Sequence, residues 1–217
     1  MNILLGSLSP RRKELLSRIV DNFRVYGRDI DETQVPGESP ADYSARISRD
    51  KAREIIPSIP DREHPCLLIT SDTIVTIDGI ILGKPESRKD AEQILGMLQS
   101  RTHSVISSIT LTLLPADPEG SSDLLTGTES TGVTFRPLTR AEIGRYLDMI
   151  DYRDKAGAYA IQEHGDLVIQ EYSGSLTNII GFPLRLFFSM AVQMGIANSI
   201  LNLDLPPSNT KDTDPGI

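Results

Sequence analysis

The first residues that could do chemistry lie in the segment SLSPRRK at positions 7–13. A serine in the N-cap position followed by proline predicts a helix that begins at Pro10. The N-terminal end of a helix is partly positive, so the three cations Arg11, Arg12 and Lys13 cost about 0.3 to 1 kcal/mol each there. Hydroxyls, free helix amides and guanidiniums within one turn are the donors that a phosphate chain needs. We therefore expect an anionic ligand at this end of the helix.

Three lysines lie at predicted element boundaries, beside Gly, Pro or Ala. Lys51 follows a long helix, Lys84 lies in GKP after a predicted hairpin, and Lys155 lies in DKAGAY. Each alone is compatible with an ordinary surface lysine, and together they could extend the phosphate-binding set. The sequence contains no GxxxxGK[ST] motif, so a P-loop is not supported.

Two carboxylates could supply acid–base or metal chemistry. Asp72 lies within an apolar strand, where a carboxylate needs either a functional reason or a backbone group to cap. Glu32 lies in the loop DIDETQVPG with Asp29 and Asp31, which could equally be solvated surface acids. Paired carboxylates that face a polyphosphate can hold a divalent cation and deprotonate an attacking water.

The composition narrows the class of ligand. The chain has 217 residues, 39% of them hydrophobic, which is enough for one α/β domain or two joined lobes. Its 22 basic and 30 acidic residues give a formal net charge of -8, which disfavours binding to nucleic acid or to anionic membranes. A local cluster of cations on an acidic protein is best explained by a small anionic ligand.

Other reactive residues offer no competing site. The single cysteine, Cys66, starts an apolar run and is expected to be a buried thiol. The histidines, His64, His103 and His164, lack metal-ligand spacing; His103 is expected to pack or hydrogen-bond at a strand start. There is no GxSxG elbow for acyl transfer. The N-terminal region lacks the pattern of a secretory signal and no segment is as apolar as a membrane span, so we expect a cytoplasmic protein.

The spacing of apolar residues predicts alternating strands and helices. A buried strand at residues 3–5 precedes the first helix, and an extended piece at 23–30 precedes a helix over 40–56. The apolar positions expected on these two helices are Leu15, Leu16, Ile19, Ala41, Ala45, Ile47 and Ala52. Residues 66–85 predict two strands joined by a hairpin at Asp78-Gly79, because Asp-Gly favours a two-residue turn.

The second half of the chain predicts further helices and strands. Ser87 caps a helix with an apolar stripe that ends at Leu98, and Thr139 and Glu142 form a capping box before another helix. Between them, HSVISSITLTLL and TESTGVTFRPL are expected to be strands separated by a flexible polar insertion, PADPEGSSD. A strand DLVIQEY, a turn SGSLTN and an apolar helix from Pro183 complete the pattern.

The ordered series SLSPRR, SDT, LGKP, RTH, DKAGAYAIQ and GSLTNIIGFPL resembles the Maf family of nucleoside triphosphate pyrophosphatases. The resemblance implies an α/β fold in which helices flank an elongated mixed sheet and a nucleotide-binding cleft separates two lobes. It implies hydrolysis of a nucleoside triphosphate to the monophosphate and pyrophosphate, a house-cleaning activity. We expect the domain to span 1–203, with a disordered tail over 204–217.

The resemblance also implies roles for individual residues. Asp72 would be the general base, and Glu32 would assist it through a metal or water, with both carboxylates as ligands of a divalent cation such as Mg²⁺ or Mn²⁺. The residues expected to hold the substrate phosphates are Ser7, Arg11, Arg12, Lys51 and Lys84. Lys13 is expected to face solvent. A homodimer is a family expectation.

Within the family, Arg11, Thr73 and Gln162 resemble the branch that acts on dTTP and UTP. A glutamine amide can both donate and accept, which matches the imide edge of uracil or thymine. The chain departs from the usual pattern where Glu163-His164 replaces a glycine after Gln162, at Gly6, and at Leu176-Thr177. The first of these departures touches the loop expected to bind the base.

The motifs leave two alternative functions open. The first is a regulator of septum formation that binds nucleotides without hydrolysing them. The second is a pyrophosphatase with specificity for 7-methyl-GTP or a broader range of purines. Replacing Asp72 by Asn would distinguish an enzyme from a regulator, because only an enzyme loses an activity when its base is removed.

Overall fold

The computed structural model describes residues 1–117 and 120–200. The strands in this part of the chain are β1 (Asn2–Leu5), β2 (Arg24–Val25), β3 (Cys66–Ile77), β4 (Ile80–Leu82), β5 (Thr102–Leu114), β6 (Asp123–Phe135) and β7 (Ile169–Ser173). The α-helices are α1 (Pro10–Ser17), α2 (Pro40–Ile55), α3 (Arg88–Leu98), α4 (Arg140–Met149), α5 (Leu176–Ile180), α6 (Leu184–Gln193) and α7 (Ala197–Ile200). None of these helices is long and apolar enough to cross a bilayer.

The strands form one mixed sheet. Their order is β2-β1-β3-β5-β6-β7, and β4 pairs with β3 through the expected hairpin. β1 runs parallel to β2 and β3, whereas β3, β5, β6 and β7 are joined by antiparallel pairs. The pairing of β3 with β5 extends from Cys66 opposite Leu114 to Thr76 opposite Ser104. These long strands confirm the expected α/β fold with an elongated mixed sheet flanked by helices.

Each long strand passes through two hydrophobic cores. One half of β3, with Leu67 and Ile69, packs in a core shared with α1 and α6. The other half, with Val75 and Ile77, packs in a core shared with α3 and α4. Asp72 therefore lies on β3 where one core gives way to the other.

Alternation along β3 decides which helix each side chain meets. Successive side chains of a strand point to opposite faces of the sheet. Leu68 and Ile74 pack in clusters that contain residues of α2, so that helix covers the face of the even-numbered residues. Asp72 belongs to the same series and therefore faces α2, while Thr73 faces the opposite side.

Several predicted boundaries need correction. α1 ends at Ser17, so Ile19 lies beyond the helix, although it still packs against the same core as α1. Ala41 is exposed rather than buried on α2, and the extended piece at 23–30 forms only the two-residue strand β2. β6 begins at Asp123, earlier than expected, because residues 123–127 continue the pairing with β5.

The segment SGSLTN was expected to be a turn, and its second half instead begins α5. The Ser175 side chain accepts from the backbone N–H of Asn178 and caps this short helix. The buried Asn178 amide donates to the carbonyl of Val105 at 3.0 Å and to Thr131 Oγ1 at 2.9 Å. These long-range bonds hold a helix that local composition does not predict.

Some predictions lie outside the described residues. The expected domain end at residue 203 and the tail over 204–217 both do, and so do residues 118–119 of the polar insertion. The described flanks of that insertion connect β5 to β6, at the end of the sheet where Cys66 pairs with Leu114. Asp72 pairs with Ser108, six positions further along the same ladder.

Candidate active site

Two adjoining chambers form a cleft at the junction of the two cores. The first chamber has a volume of about 170 Å³ and the second about 270 Å³. The side chains that line both chambers are those of Ser9, Arg11, Arg12, Glu32, Lys51, Lys84 and Asp154. Thr73, Asp72 and Gln162 line the first chamber only, and Ser7 lines the second. Every residue that the sequence singled out for the site therefore borders this cleft.

Lys51 was expected to follow a helix, but it lies within α2, where it joins the two candidate catalytic carboxylates. Its Nζ lies 2.8 Å from Asp72 Oδ1 and 2.8 Å from Glu32 Oε1. The side chains of Lys51 and Asp72 are only 12% and 8% exposed, whereas that of Glu32 is 47% exposed. A buried carboxylate requires such a cation, because an isolated charge is strongly disfavoured away from water.

Asp72 keeps one oxygen free. Its Oδ2 is buried and has no hydrogen-bond partner, although Oδ1 is bound by Lys51. Buried polar atoms without partners need an explanation, and among the eight found in the described residues only Asp72 Oδ2 belongs to a residue that lines the cleft. Asp72 lines the cleft, so the carboxylate that carries this oxygen forms part of the cleft wall.

The loop that carries Glu32 is held against α2. Tyr43 on α2 donates its hydroxyl to the carbonyl of Glu32 at 2.8 Å, and burial raises the pKa of Tyr43 to about 12. Asp31 accepts from the backbone N–H and hydroxyl of Thr33, which closes a local turn. Of the three acids in the loop, Glu32 alone contacts Lys51, while Asp29 lines the second chamber.

Arg12 is built into the wall of the cleft. Its Nε donates to the Gly181 carbonyl at 3.0 Å, and its two terminal nitrogens donate to Ser7 Oγ, Thr73 Oγ1 and the Ser71 carbonyl. Burial lowers the pKa of Arg12, and the nearby Asp72 carboxylate opposes that effect. Four of its five N–H donors are thereby used, which leaves one for a ligand.

Arg11 and Lys155 meet across Asp154. Arg11 lies 3.1 Å from Asp154 Oδ2, and Lys155 Nζ lies 2.8 Å from Asp154 Oδ1. Lys155 is 5% exposed and also lies 3.1 Å from Glu163 Oε1. The sequence marked Lys155 only as a boundary lysine and gave Asp154 and Glu163 no role in the site. The only local pattern that could have indicated Asp154 and Glu163 is their position beside Lys155 in RDK and beside Gln162 in QE.

A glycine shapes the segment that follows Lys155. Gly157 has a φ of 73°, a conformation that glycine adopts at low cost. A β-carbon there would lie 2.9 Å from a methyl carbon of Val75, so only glycine fits against β3. Its N–H donates to the Gly83 carbonyl at 3.1 Å, which joins this segment to the loop that carries Lys84.

The far wall of the first chamber is mainly apolar. Its side chains outside the charged group include those of Val75, Val105, Ala156, Tyr159, Ala160, Ile161 and Ile179. Tyr159 is fixed from behind by His103, whose Nε2 lies 2.8 Å from the tyrosine hydroxyl. This contact confirms the expectation that His103 hydrogen-bonds at a strand start, and burial lowers the pKa of His103 to about 4.

Thr73 and Gln162, the two remaining residues expected to set specificity, differ in whether their polar groups already have partners. Thr73 Oγ1 accepts from Arg12 and lies 3.0 Å from Ser107 Oγ, so its hydroxyl belongs to the wall. The Gln162 side chain is exposed and forms no hydrogen bond within the described part of the chain. Its amide is therefore available to a ligand in the first chamber.

The charge of the cleft is opposite to that of the whole chain. Five cationic side chains and three carboxylates line the first chamber, in a protein whose formal net charge is -8. Lys84 has no salt bridge with any described residue, and Lys13 is exposed as expected. Among the described residues no group of three or more His, Cys, Asp or Glu could hold a metal, so a cation would rely on two carboxylates.

Comparison with known proteins identifies the family of this chain. The family model described as Maf-like protein matches residues 2–194. A dTTP/UTP pyrophosphatase of Akkermansia muciniphila is 37% identical over 184 residues, which cover 84% of this chain and 91% of that protein. A second dTTP/UTP pyrophosphatase, from Clostridium botulinum, is 35% identical over 196 residues, which cover 90% of this chain and 98% of that protein.

A solved structure, the Staphylococcus aureus Ham1 protein, aligns with a TM-score of 0.42 and 14% identity over 92% of this chain and 100% of that chain. A likeness that weak carries no argument about the site. The family match over nearly the whole chain confirms the resemblance seen in the motifs. The chain therefore belongs to the Maf family.

Proposed function

We propose that this protein hydrolyses nucleoside triphosphates, dTTP and UTP foremost, to the monophosphate and pyrophosphate. The observation that carries the proposal is the free, buried Oδ2 of Asp72 in a cleft with five cationic side chains. The names of the relatives, dTTP/UTP pyrophosphatase, support the same reaction. A polyphosphate fits the cations, and a general base fits the free oxygen.

The phosphate chain is held by the cations shared between the two chambers. Arg11, Lys51 and Lys84 donate to phosphate oxygens, and Lys84 has no competing partner among the described residues. Ser7 and the first amides of α1 add neutral donors. Arg12 contributes its charge and its remaining N–H, since most of its donors hold the wall together.

Asp72 acts as the general base. Its free Oδ2 accepts a proton from a water molecule, and the oxygen of that water forms a bond to the α-phosphorus. The bond between this phosphorus and the oxygen that bridges to the β-phosphate breaks, and its electron pair leaves with pyrophosphate. Lys51 holds Oδ1 and so orients the carboxylate during proton transfer.

Asp72 and Glu32 suit a divalent cation. They supply carboxylate oxygens, the donor type that Mg²⁺ prefers, and Mg²⁺ is often held by one or two carboxylates together with substrate phosphates. The half-exposed carboxylate of Glu32 would supply one ligand, and Asp72 Oδ2, which has two lone pairs, could contact the cation with one and accept the proton of the water with the other. A bound cation would neutralise charge that develops on the leaving pyrophosphate.

The pyrimidine base occupies the apolar part of the first chamber. Gln162 presents a free amide, which can both donate and accept at the imide edge of uracil or thymine. Thr73 and Arg11 shape the surroundings of that contact, Thr73 through the wall and Arg11 from the phosphate side. Cytosine presents a different pattern of donors and acceptors and should bind less well.

The direct test measures the products released from UTP and dTTP in the presence of Mg²⁺ or Mn²⁺. We expect pyrophosphate and the monophosphate, with no orthophosphate. Asp72→Asn should lower turnover on the order of 10³-fold while leaving nucleotide binding intact, as measured by calorimetry. Nucleotide binding without turnover in the wild type would instead favour the regulator.

Substrate class is tested by comparing UTP, dTTP, CTP and 7-methyl-GTP at equal concentration. We expect UTP and dTTP to have the highest kcat/KM. A clear preference for 7-methyl-GTP would contradict the role given to Gln162 and would leave the reaction type unchanged.

A further inference from the structure

A chain of alternating charges runs along the cleft from Arg11 to Glu163. Arg11 contacts Asp154 Oδ2 at 3.1 Å and the Asp154 carbonyl at 3.3 Å. Asp154 Oδ1 lies 2.8 Å from Lys155, and Lys155 lies 3.1 Å from Glu163 Oε1. One end of this series of ion pairs, Arg11, therefore belongs to the proposed phosphate-binding residues. The other end, Glu163, is next in sequence to Gln162.

Lys155 lies at the centre of this series of ion pairs and is held firmly in place. Its ammonium group has three N–H donors, and three oxygens surround it: those of Asp154, Glu163 and the carbonyl of Asp151. The side chain is 5% exposed, so each of these contacts compensates a charge that is largely removed from water. A side chain held in this way is a firm anchor for whatever is attached to it.

Gln162 itself has no such anchor. Its exposed amide forms no hydrogen bond with a described residue, so its position depends on the backbone of its loop. That loop is held by the Glu163 N–H, which donates to the Ala160 carbonyl at 3.3 Å, and by the ion pair from Glu163 to Lys155. The adjacent His164 has a φ of 55°, so the backbone there is held in a conformation unfavourable for a side chain.

We propose that Glu163 is a positioning residue for base selection, which holds Gln162 at the first chamber through its ion pair with the buried Lys155. The inference rests on the proposed function, because it assumes that a pyrimidine contacts Gln162. Glu163 touches neither the phosphates nor the base. Its effect therefore falls on the preference between bases and not on the chemical step at Asp72.

The first experiment compares Glu163→Gln with the wild type and with Asp166→Asn. Gln keeps the size of the side chain and removes its charge; Asp166 is an exposed acid of the same loop that forms no salt bridge with a described residue. Binding of the non-hydrolysable α,β-methylene analogues of UTP and CTP is measured by calorimetry, and kcat and KM are measured for UTP and CTP.

We expect Glu163→Gln to lower the preference for UTP over CTP by about fivefold, as suits a partly exposed ion pair. The loss should lie in KM and in analogue affinity, with kcat almost unchanged. Glu163→Asp, which keeps the charge, should retain more of the preference, and Asp166→Asn should retain all of it. An equal loss of affinity for both analogues would indicate a merely structural role and overturn the proposal.

A double-mutant cycle shows whether Glu163 acts through Gln162. Gln162→Ala should remove the preference for UTP, and adding Glu163→Gln to it should change the preference no further. Additive effects of the two substitutions would overturn the proposal. Because the analogues report binding without turnover, a wild type that binds UTP selectively but does not hydrolyse it would refute the proposed function alone. Failure to bind either analogue would refute both.

Discussion

Two lysines on the cleft, the buried Lys155 and the partly buried Lys51, each hold a pair of carboxylates. Lys51 lies between Glu32 and Asp72, and Lys155 lies between Asp154 and Glu163. In the first group one carboxylate, that of Asp72, is 8% exposed and keeps an oxygen without a partner. In the second group both carboxylates are about half exposed, and the lysine is saturated by a third oxygen.

This difference suits the Lys51 group to proton transfer and the Lys155 group to positioning other residues. A buried oxygen with no partner is a costly feature that a reaction can use, whereas a saturated cation offers nothing to a substrate. We therefore place proton transfer in the Lys51 group. The Lys155 group connects Arg11, which we propose binds phosphate, to the loop of Gln162, which we propose selects the base.

The largest contrast should come from removing one carboxylate charge in each group. Asp72→Asn should lower kcat on the order of 10³-fold, within the range for loss of a general base. Asp154→Asn should lower kcat by no more than about tenfold, because it weakens the positioning of Arg11 without touching the attacking water. Pyrophosphate release under saturating UTP measures both. Equal losses would erase the distinction between the two groups.

Removing each lysine should test the same contrast in stability. Lys51→Met leaves the buried Asp72 without its cation, which should lower the free energy of unfolding by about 3 to 5 kcal/mol. Lys155→Met leaves two carboxylates that can turn to solvent, so the loss should be about 1 kcal/mol. Urea denaturation at neutral pH measures both values. A larger loss for Lys155→Met would reverse our ranking of the two environments.

The free energy of unfolding should also depend on pH, because His103 is buried in the folded protein. Burial lowers its pKa from 6.5 to about 4, so the unfolded chain binds a proton that the folded chain does not. The stability contributed by neutral His103 is therefore complete above pH 6.5 and is lost as the pH falls toward 4, by about 3 kcal/mol in all.

His103→Gln should remove this dependence, so that the difference in unfolding free energy between wild type and variant changes between pH 7 and pH 4. A constant difference over that range would show that His103 is not the group responsible. The two lysine variants are best compared at pH 7 or above, where His103 contributes no slope.

The smallest effect concerns the loop beside the Lys155 group. His164 and Ser100 both have a φ near 55°, where a side chain costs about 1 to 2 kcal/mol. His164→Gly and Ser100→Gly should each raise the free energy of unfolding by about 0.5 kcal/mol, since the greater entropy of glycine in the unfolded chain offsets part of the gain.

Selectivity should distinguish these two glycine variants. His164→Gly also frees the backbone next to Glu163, so it should weaken the preference for UTP over CTP, whereas Ser100→Gly should not. A loss of preference in both variants would mean that the position of Gln162 does not depend on its own loop.

Much of the fold follows from local patterns. The apolar strand before Pro10, the Asp78-Gly79 hairpin and the capping box of Thr139 and Glu142 all form as their sequences predict. Each depends on residues a few positions apart, so local propensity decides them. α5 and the start of β6 were not predicted, because the contacts of Asn178 and the pairing with β5 come from distant parts of the chain.

The candidate site divides in the same way. The types of hydrogen-bond donor in the site follow from the sequence, and the motifs alone indicate the family. The role of Arg12 as a wall residue was not visible, because its partners Ser71 and Gly181 lie 59 and 169 positions away. Lys155 was not distinguishable from a surface lysine, since burial is a property of the whole fold.

The sequence by itself determined which chemical groups the cleft can contain, because composition and motif spacing specify the cations, the carboxylates and one free glutamine amide. Only the tertiary structure decided how those groups share their bonds. Arg11 and Asp154, 143 positions apart, form a pair, while Asp72 keeps an oxygen free. Burial and partner choice arise from contacts between distant segments, and these alone separate the carboxylate assigned to catalysis from the one that holds its neighbours in place.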